Sequence, residues 1–152
     1  MGFTVIGLDH VQLAMPPGRE SEAETFYAGF LGFVRIPKPE PMAARGGAWF
    51  AAGPVALHLG VEADFRPARK AHPALVVQDL AGLVAAATAT GMEVRPNQDQ
   101  PEGAGCYIDD PFGNRIELID ADAAGRAVAA AQSGQSGQSG QSGQSGQSGP
   151  SS

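Results

Sequence analysis

The chain of 152 residues has one cysteine, Cys106, so no internal disulfide can staple it, and a reducing compartment such as the cytoplasm is expected. Cations are also scarce. Lys and Arg number 10 against 16 Asp and Glu, a net charge of −6, which removes the basic footprint of a nucleic-acid or anionic-membrane binder. No apolar run approaches the ~20 residues that span a bilayer, and no charged-then-apolar leader opens the sequence. There is one tryptophan and there are only three histidines. What remains is 43% apolar and 17% charged, the balance of a globular domain with a single core and a small molecule as its expected partner.

The most informative stretch runs from Asp109 to Asp120. Asp-Pro and Gly-Asn are turn formers, so the chain should reverse between Asp109 and Asn114. Beyond the turn the residues alternate as in a half-buried strand: Ile116 and Leu118 point one way, Arg115, Glu117 and Ile119 the other. Glu117 then faces inward or into a cavity, which is costly unless something positive meets it. A metal ion is the obvious partner.

Earlier in the chain the same kinds of pattern recur. Residues 5–14 read as a strand with Val11 and Leu13 on one face and His10, Gln12 and Ala14 on the other. Ser21 and Glu24 have the spacing of a capping box, and Ala23, Phe26, Tyr27 and Phe30 follow as a helical core stripe that Gly32 ends. Strands are expected at 33–36, 48–52 and 55–61, with a proline-rich loop at 37–44. In the last of these strands His58 shares a face with Ala56 and Gly60. Trp49 reads first as packing and second as a pocket wall. The charged loop 62–71 holds Arg66, Arg69 and Lys70, a solvated loop before it is an anion clamp. A strand at 72–77, a helix capped by Asp79 and ended by Gly91, and short strands from Met92 and Cys106 complete the order. Cys106 has no adjacent base and reads as a small packed residue.

This order contains one strand-helix-three-strand unit twice. Gly32 precedes His58 by the same number of residues as Gly91 precedes Glu117, and a slightly longer first helix absorbs the difference between His10–Gly32 and His72–Gly91. His10 therefore matches His72, and His58 matches Glu117. A lone histidine on a strand is usually structural, but three imidazoles and a carboxylate at matched positions suit one divalent ion: Zn, Ni, Co, Mn or Fe(II). Four such ligands leave two open octahedral positions, enough for a substrate with two neighbouring oxygens, whereas three leave room for both substrate and O₂.

With Asp9-His10-Val11, Phe26-Tyr27, Leu31-Gly32-Phe33, the run from Ala71 through Val77 to Asp79-Leu80, and Asp109 through Leu118, residues 4–120 resemble the vicinal oxygen chelate superfamily. Its members include glyoxalase I, bleomycin-resistance proteins, fosfomycin-resistance transferases, methylmalonyl-CoA epimerase and extradiol dioxygenases. The resemblance implies an α+β fold, two tandem βαβββ units forming a curved mixed sheet with a metal-binding cleft. It also implies metal ligands at His10, His72 and Glu117, with a fourth at His58. That fourth place is Glu in glyoxalase I and Gln in the epimerase, so histidine departs from both. The reading favoured here is a metal-dependent lyase or isomerase of glyoxalase type with Glu117 as catalytic base. The alternatives are an extradiol-type dioxygenase or a non-catalytic small-molecule (drug) binding protein. A homodimer is expected, with the site inside one chain or shared between chains.

The domain is placed at 1–120, with units at about 4–62 and 68–120. An alanine-rich extension at 121–131 precedes a Gln-Ser-Gly repeat at 132–152 that has no apolar side chain to bury and is expected to stay a flexible coil.

Overall fold

A computed structural model of the chain describes residues 2–126. The Gln-Ser-Gly repeat and the alanine-rich extension past Arg126 lie outside the described residues. The first unit comprises β1 (Val11–Met15), a helix α1 (Glu20–Ala23) that continues with π geometry over Glu24–Phe30, β2 (Val34–Ile36), β3 (Ala48–Ala52) and β4 (Val55–Val61). The second comprises β5 (Ala74–Val77), α2 (Leu80–Ala89), β6 (Arg95–Pro96), β7 (Gly105–Asp109) and β8 (Arg115–Asp120). Each unit makes its own four-stranded mixed sheet, in the orders β1-β4-β3-β2 and β5-β8-β7-β6. The α+β architecture of two tandem βαβββ units is therefore as expected.

Alternation builds the core. Leu13 and Met15 of β1, Phe50 of β3, Leu57 and Leu59 of β4, Ile108 of β7, and Ile116 and Leu118 of β8 are buried, and Phe26, Tyr27 and Leu80 close over them from the helices. The other faces form two equivalent rows. Across the first sheet, Gln12 pairs with His58, His58 with Trp49, and Trp49 with Ile36. Across the second, Ala74 pairs with Glu117, Glu117 with Tyr107, and Tyr107 with Arg95. His10 stands two residues before Gln12 and His72 two before Ala74, so the ladders reproduce the spacing of the repeat.

The two units are tied together by the turn between β7 and β8. Asp110, almost fully buried, accepts the Tyr27 hydroxyl at 2.9 Å, the Asn114 side-chain amide at 2.8 Å, and the backbone N–H groups of Phe112 and Asn114. Asn114 in turn donates to the Ala14 carbonyl at 2.9 Å and accepts from the Ala68 N–H at 2.9 Å. Burial raises the Asp110 pKa, and the hydrogen bonds from Asn114, Tyr27 and Phe112 oppose that rise. The turn that opens the stretch from Asp109 to Asp120 is thus a structural knot at the start of Glu117's strand.

Several local expectations are corrected. His10 precedes its strand instead of lying within one over 5–14, His72 precedes its strand instead of opening it, and residues 2–10 carry no regular structure. The register accounts for the residues before Asp9: continued backward, it sets Asp9 opposite Val55, where β4 begins, so those earlier residues have no ladder partner. Phe3, Val5, Ile6 and Leu8 are consequently exposed. The capping box does not form. Ser21 lies inside the first turn, Arg19 occupies the cap position, and Glu24 reaches Arg35 at 2.6 Å instead. By contrast Asp79, with φ 55°, caps α2 by accepting from the Gly82 N–H at 3.0 Å. The loop after β2 holds a 3₁₀ turn, Met42–Arg45, and residues 121–126 are helical with Asp120 accepting from the Asp122 and Ala123 N–H groups.

Candidate functional site

Glu117 leaves the β8 backbone on the face opposite Ile116 and Leu118, and neighbours there engage both of its oxygens. Oε2 lies 3.1 Å from His72 Nε2, and Oε1 accepts from the Asn97 side-chain amide at 2.7 Å. The His72 and Glu117 side chains are only 20% and 13% exposed. The other nitrogen of His72, Nδ1, lies 2.7 Å from the Lys70 carbonyl, which can only accept, so Nδ1 carries a proton. Nε2 then bonds Glu117 only if the ring or the carboxyl carries a further proton. Between a neutral ring and a carboxylate, two lone pairs face each other across 3.1 Å. That separation is also about the edge between two adjacent ligands that each sit ~2.1 Å from one ion.

His10 repeats the device on the first sheet. Its Nδ1 lies 2.6 Å from Asp9 Oδ1, which leaves Nε2 free, and the hydrogen bond holds the Asp9 carboxyl below its usual range. A metal-binding histidine is commonly held by its second nitrogen in this way, because that contact fixes tautomer and ring orientation. His58 differs. It is buried in a stack, with Trp49 parallel on one side at 4.0 Å and His10 on the other at 4.2 Å between ring centres. Burial first, and then the neighbouring His10, lowers the His58 pKa below the ordinary imidazole value, so it is neutral at pH 7. Trp49 both packs and forms a wall here.

The four sequence-predicted ligands thus fall into two pairs, His10 with His58 and His72 with Glu117. Among the described residues, no group of three His, Cys, Asp or Glu side chains is close enough to share a metal ion. His10 and His72 do open onto one cleft of about 750 Å³, lined also by Asp9 and by apolar side chains including Leu8, Val55, Leu75 and Val76. Asn97, buried in the loop after β6, escaped sequence reasoning. Only the register, which sets β6 beside Tyr107 and Tyr107 beside Glu117, places it next to the carboxylate. Cys106 is buried, and burial pushes its thiol pKa up, as suits a packed residue and not a nucleophile. No helix among the described residues is long and apolar enough to cross a membrane.

A sequence-family profile described as a glyoxalase-like domain matches residues 17–119. Among solved structures, a protein assigned to the glyoxalase family in Bacillus anthracis is 42% identical, with a TM-score of 0.74 over 79% of this chain and 98% of that one. The fosfomycin resistance protein FosX from Listeria monocytogenes is 16% identical, with a TM-score of 0.60 over 77% and 94% of the two chains. TnmS3, an antibiotic binding protein from Streptomyces sp. CB03234, is 20% identical, with a TM-score of 0.60 over 78% and 98%. The last two likenesses concern the fold alone. No curated protein matches the sequence.

Proposed function

Because the chain belongs to the glyoxalase-like domain family, within the vicinal oxygen chelate superfamily, we propose that it is a divalent-metal-dependent enzyme acting on a small substrate with two neighbouring oxygens. The carrying observation is the matched pinning of His10 by Asp9 and of His72 by the Lys70 carbonyl, each presenting Nε2. The donor set suits Zn, Ni, Co, Mn or Fe(II), but the described residues of one chain supply it only as two pairs. We therefore place the complete site in a homodimer, where His10 of one copy meets His72 and Glu117 of the other. The unpaired apolar arm of Phe3, Val5, Ile6 and Leu8 supports a second copy as the missing partner. His58, stacked under His10, orients that ring and is a fourth ligand only if its own nitrogen turns toward the ion.

When bound, the ion supplies Lewis acidity to the substrate's paired oxygens. Glu117 Oε2 takes the proton from the carbon beside them and returns it to the neighbouring position, which is lyase or isomerase chemistry of glyoxalase type. Asn97 holds Oε1, so the carboxylate exchanges its proton without losing orientation.

Mixed dimers test the reading. His10→Ala and Glu117→Gln each remove one half of every site, and neither should bind metal or turn over a hemithioacetal. If sites are shared between chains, unfolding and refolding the two variants together restores about a quarter of the wild-type sites, because only mixed dimers hold an intact combination. No recovery, or a monomer by light scattering at micromolar concentration, refutes the shared site. The absence of a three-ligand group among the described residues of one chain favours a second reading, a metal-free small-molecule binder. Tight uptake of an antibiotic by metal-free protein that neither isomerises a hemithioacetal nor consumes oxygen with catechols would establish it.

A further inference from the structure

Arg115 stands two residues before Glu117 on the same face of β8. Its guanidinium carbon lies 5.1 Å from the centre of the Tyr107 ring, and the His72 ring meets that ring edge-on at 5.5 Å. Tyr107 thus spaces a cation from the His72–Glu117 pair, while the cation–π contact holds the guanidinium in place. Arg115 Nε is buried and has no hydrogen-bond partner. The cross-strand neighbour Asp109 accepts from Arg95 at 2.5 Å, and Glu93 lies 3.7 Å from the same arginine. Both nearby carboxylates therefore serve Arg95. Arg69 and Arg115 have no acidic partner among the described residues, and these five side chains line a cavity of about 250 Å³. That is below the ~300 Å³ at which drug-sized pockets begin, but enough for an oxyanion.

We propose that this cavity is an anion subsite of the Glu117 site. The substrate carries a carboxylate, phosphonate or phosphate that Arg115 and Arg69 hold while its reacting carbon lies at Glu117. This rests on the enzyme reading above for the role of Glu117, although the binding itself does not require the metal. Guanidinium forks match such oxyanions two oxygens at a time, and a buried Nε–H without a partner supplies a donor already desolvated.

The test is calorimetric titration of the full chain with acetate and with methylphosphonate, as purified and again with EDTA, at constant ionic strength. At least one anion should bind in the millimolar range, and the preferred one identifies the oxyanion class. Arg115→Gln should weaken binding about 10-fold or more, and Arg115→Lys by less, since the charge stays but the fork is lost. Arg69→Gln, on an exposed loop, keeps the test readable should Arg115→Gln fail to fold. Glu117→Gln should leave binding in EDTA intact. Binding of neither anion, indifference to both arginine substitutions, or loss in Glu117→Gln with EDTA overturns the subsite. Because those titrations need no metal, their failure leaves the enzyme reading standing, and failed metal uptake leaves the subsite standing.

Discussion

Replacing Asn114 by alanine should be among the most damaging single changes outside the apolar core. The side chain is fully buried and makes three hydrogen bonds: to the Ala14 carbonyl, to Asp110 Oδ2 and from the Ala68 N–H. Alanine leaves the Ala14 carbonyl and the Ala68 N–H, both part-buried, without that partner, at up to ~1–3 kcal/mol each, and removes a bond to a carboxylate worth roughly 1.5–3 kcal/mol. Asp110 keeps the Tyr27 hydroxyl and two backbone donors, so the loss there is partial. The total is about 3–6 kcal/mol, against a stability of ~5–15 kcal/mol for a domain. Urea unfolding followed by tryptophan fluorescence should show the midpoint fall by roughly 2 M for an m-value of ~1–3 kcal/mol/M. Tyr27→Phe should cost less, because Asp110 loses one donor of four, and the double variant should fall short of the sum of the two losses. A loss below ~1 kcal/mol in Asn114→Ala would refute the reasoning, since it would mean that water replaces all three bonds.

Other outcomes follow from single contacts. Asn97→Ala frees Oε1 of Glu117 and should lower metal affinity about 10- to 100-fold while circular dichroism stays unchanged; equal affinity in a metal titration would remove Asn97 from the site. Gly47 has φ +81°, and an added Cβ would meet the Leu59 carbonyl oxygen, so Gly47→Ala should lose ~2 kcal/mol or more in the same urea assay. The Gly47 N–H donates to Glu20 at 2.8 Å and holds the Glu20 carboxyl below its ordinary value near 4.5. That contribution is present above 4.5 and is lost as pH falls through the lowered native value, so wild type should lose more stability than Glu20→Gln on acidification from pH 5. Parallel acid curves for the two proteins would contradict it. Buried Cys106 should react with a thiol reagent only as fast as the chain opens, and immediate labelling of native protein would contradict its placement.

How far the sequence could be read depended on whether a feature is local. The turn at Asp109–Asn114 and the strand carrying Glu117 are written in adjacent residues, and the alternation of Ile116 and Leu118 against Glu117 is what the structure contains. Equal spacing from Gly32 and Gly91 anticipated the two equivalent cross-strand rows. Partners from distant parts of the chain were not legible. β4 starts opposite Asp9, so residues 5–8 alternate like a strand yet have no ladder partner. Asp110 reads as a turn former, and only packing shows it gathering Tyr27 and Asn114. Periodicity likewise says which face His10, His58, His72 and Glu117 occupy but not which faces meet. That is why it did not foresee the stack on Trp49 or the contact of Asn97.

The difference between the two rows bears on how many kinds of site a dimer would hold. Where the second sheet has Glu117, the first has neutral His58; where the second has Tyr107, the first has Trp49. Joining like with like would give one site with imidazoles only and another with two carboxylates, whose mutual repulsion would raise one of their pKa values. Joining unlike sheets gives two identical sites, each with imidazole ligands and a single carboxylate, and a two-fold axis relating the chains generates them both. On the proposed reading, the divergence of His58 from Glu117 therefore selects the mixed pairing. His58→Glu would weaken that selection, and it should do so without disturbing either sheet's core, because His58 lies on the face opposite Leu57 and Leu59. Its measurable consequence is a second carboxylate beside Glu117 in each shared site, so metal affinity should rise while the pH for half-maximal binding shifts. An unchanged binding curve in His58→Glu would mean that the two rows do not face each other.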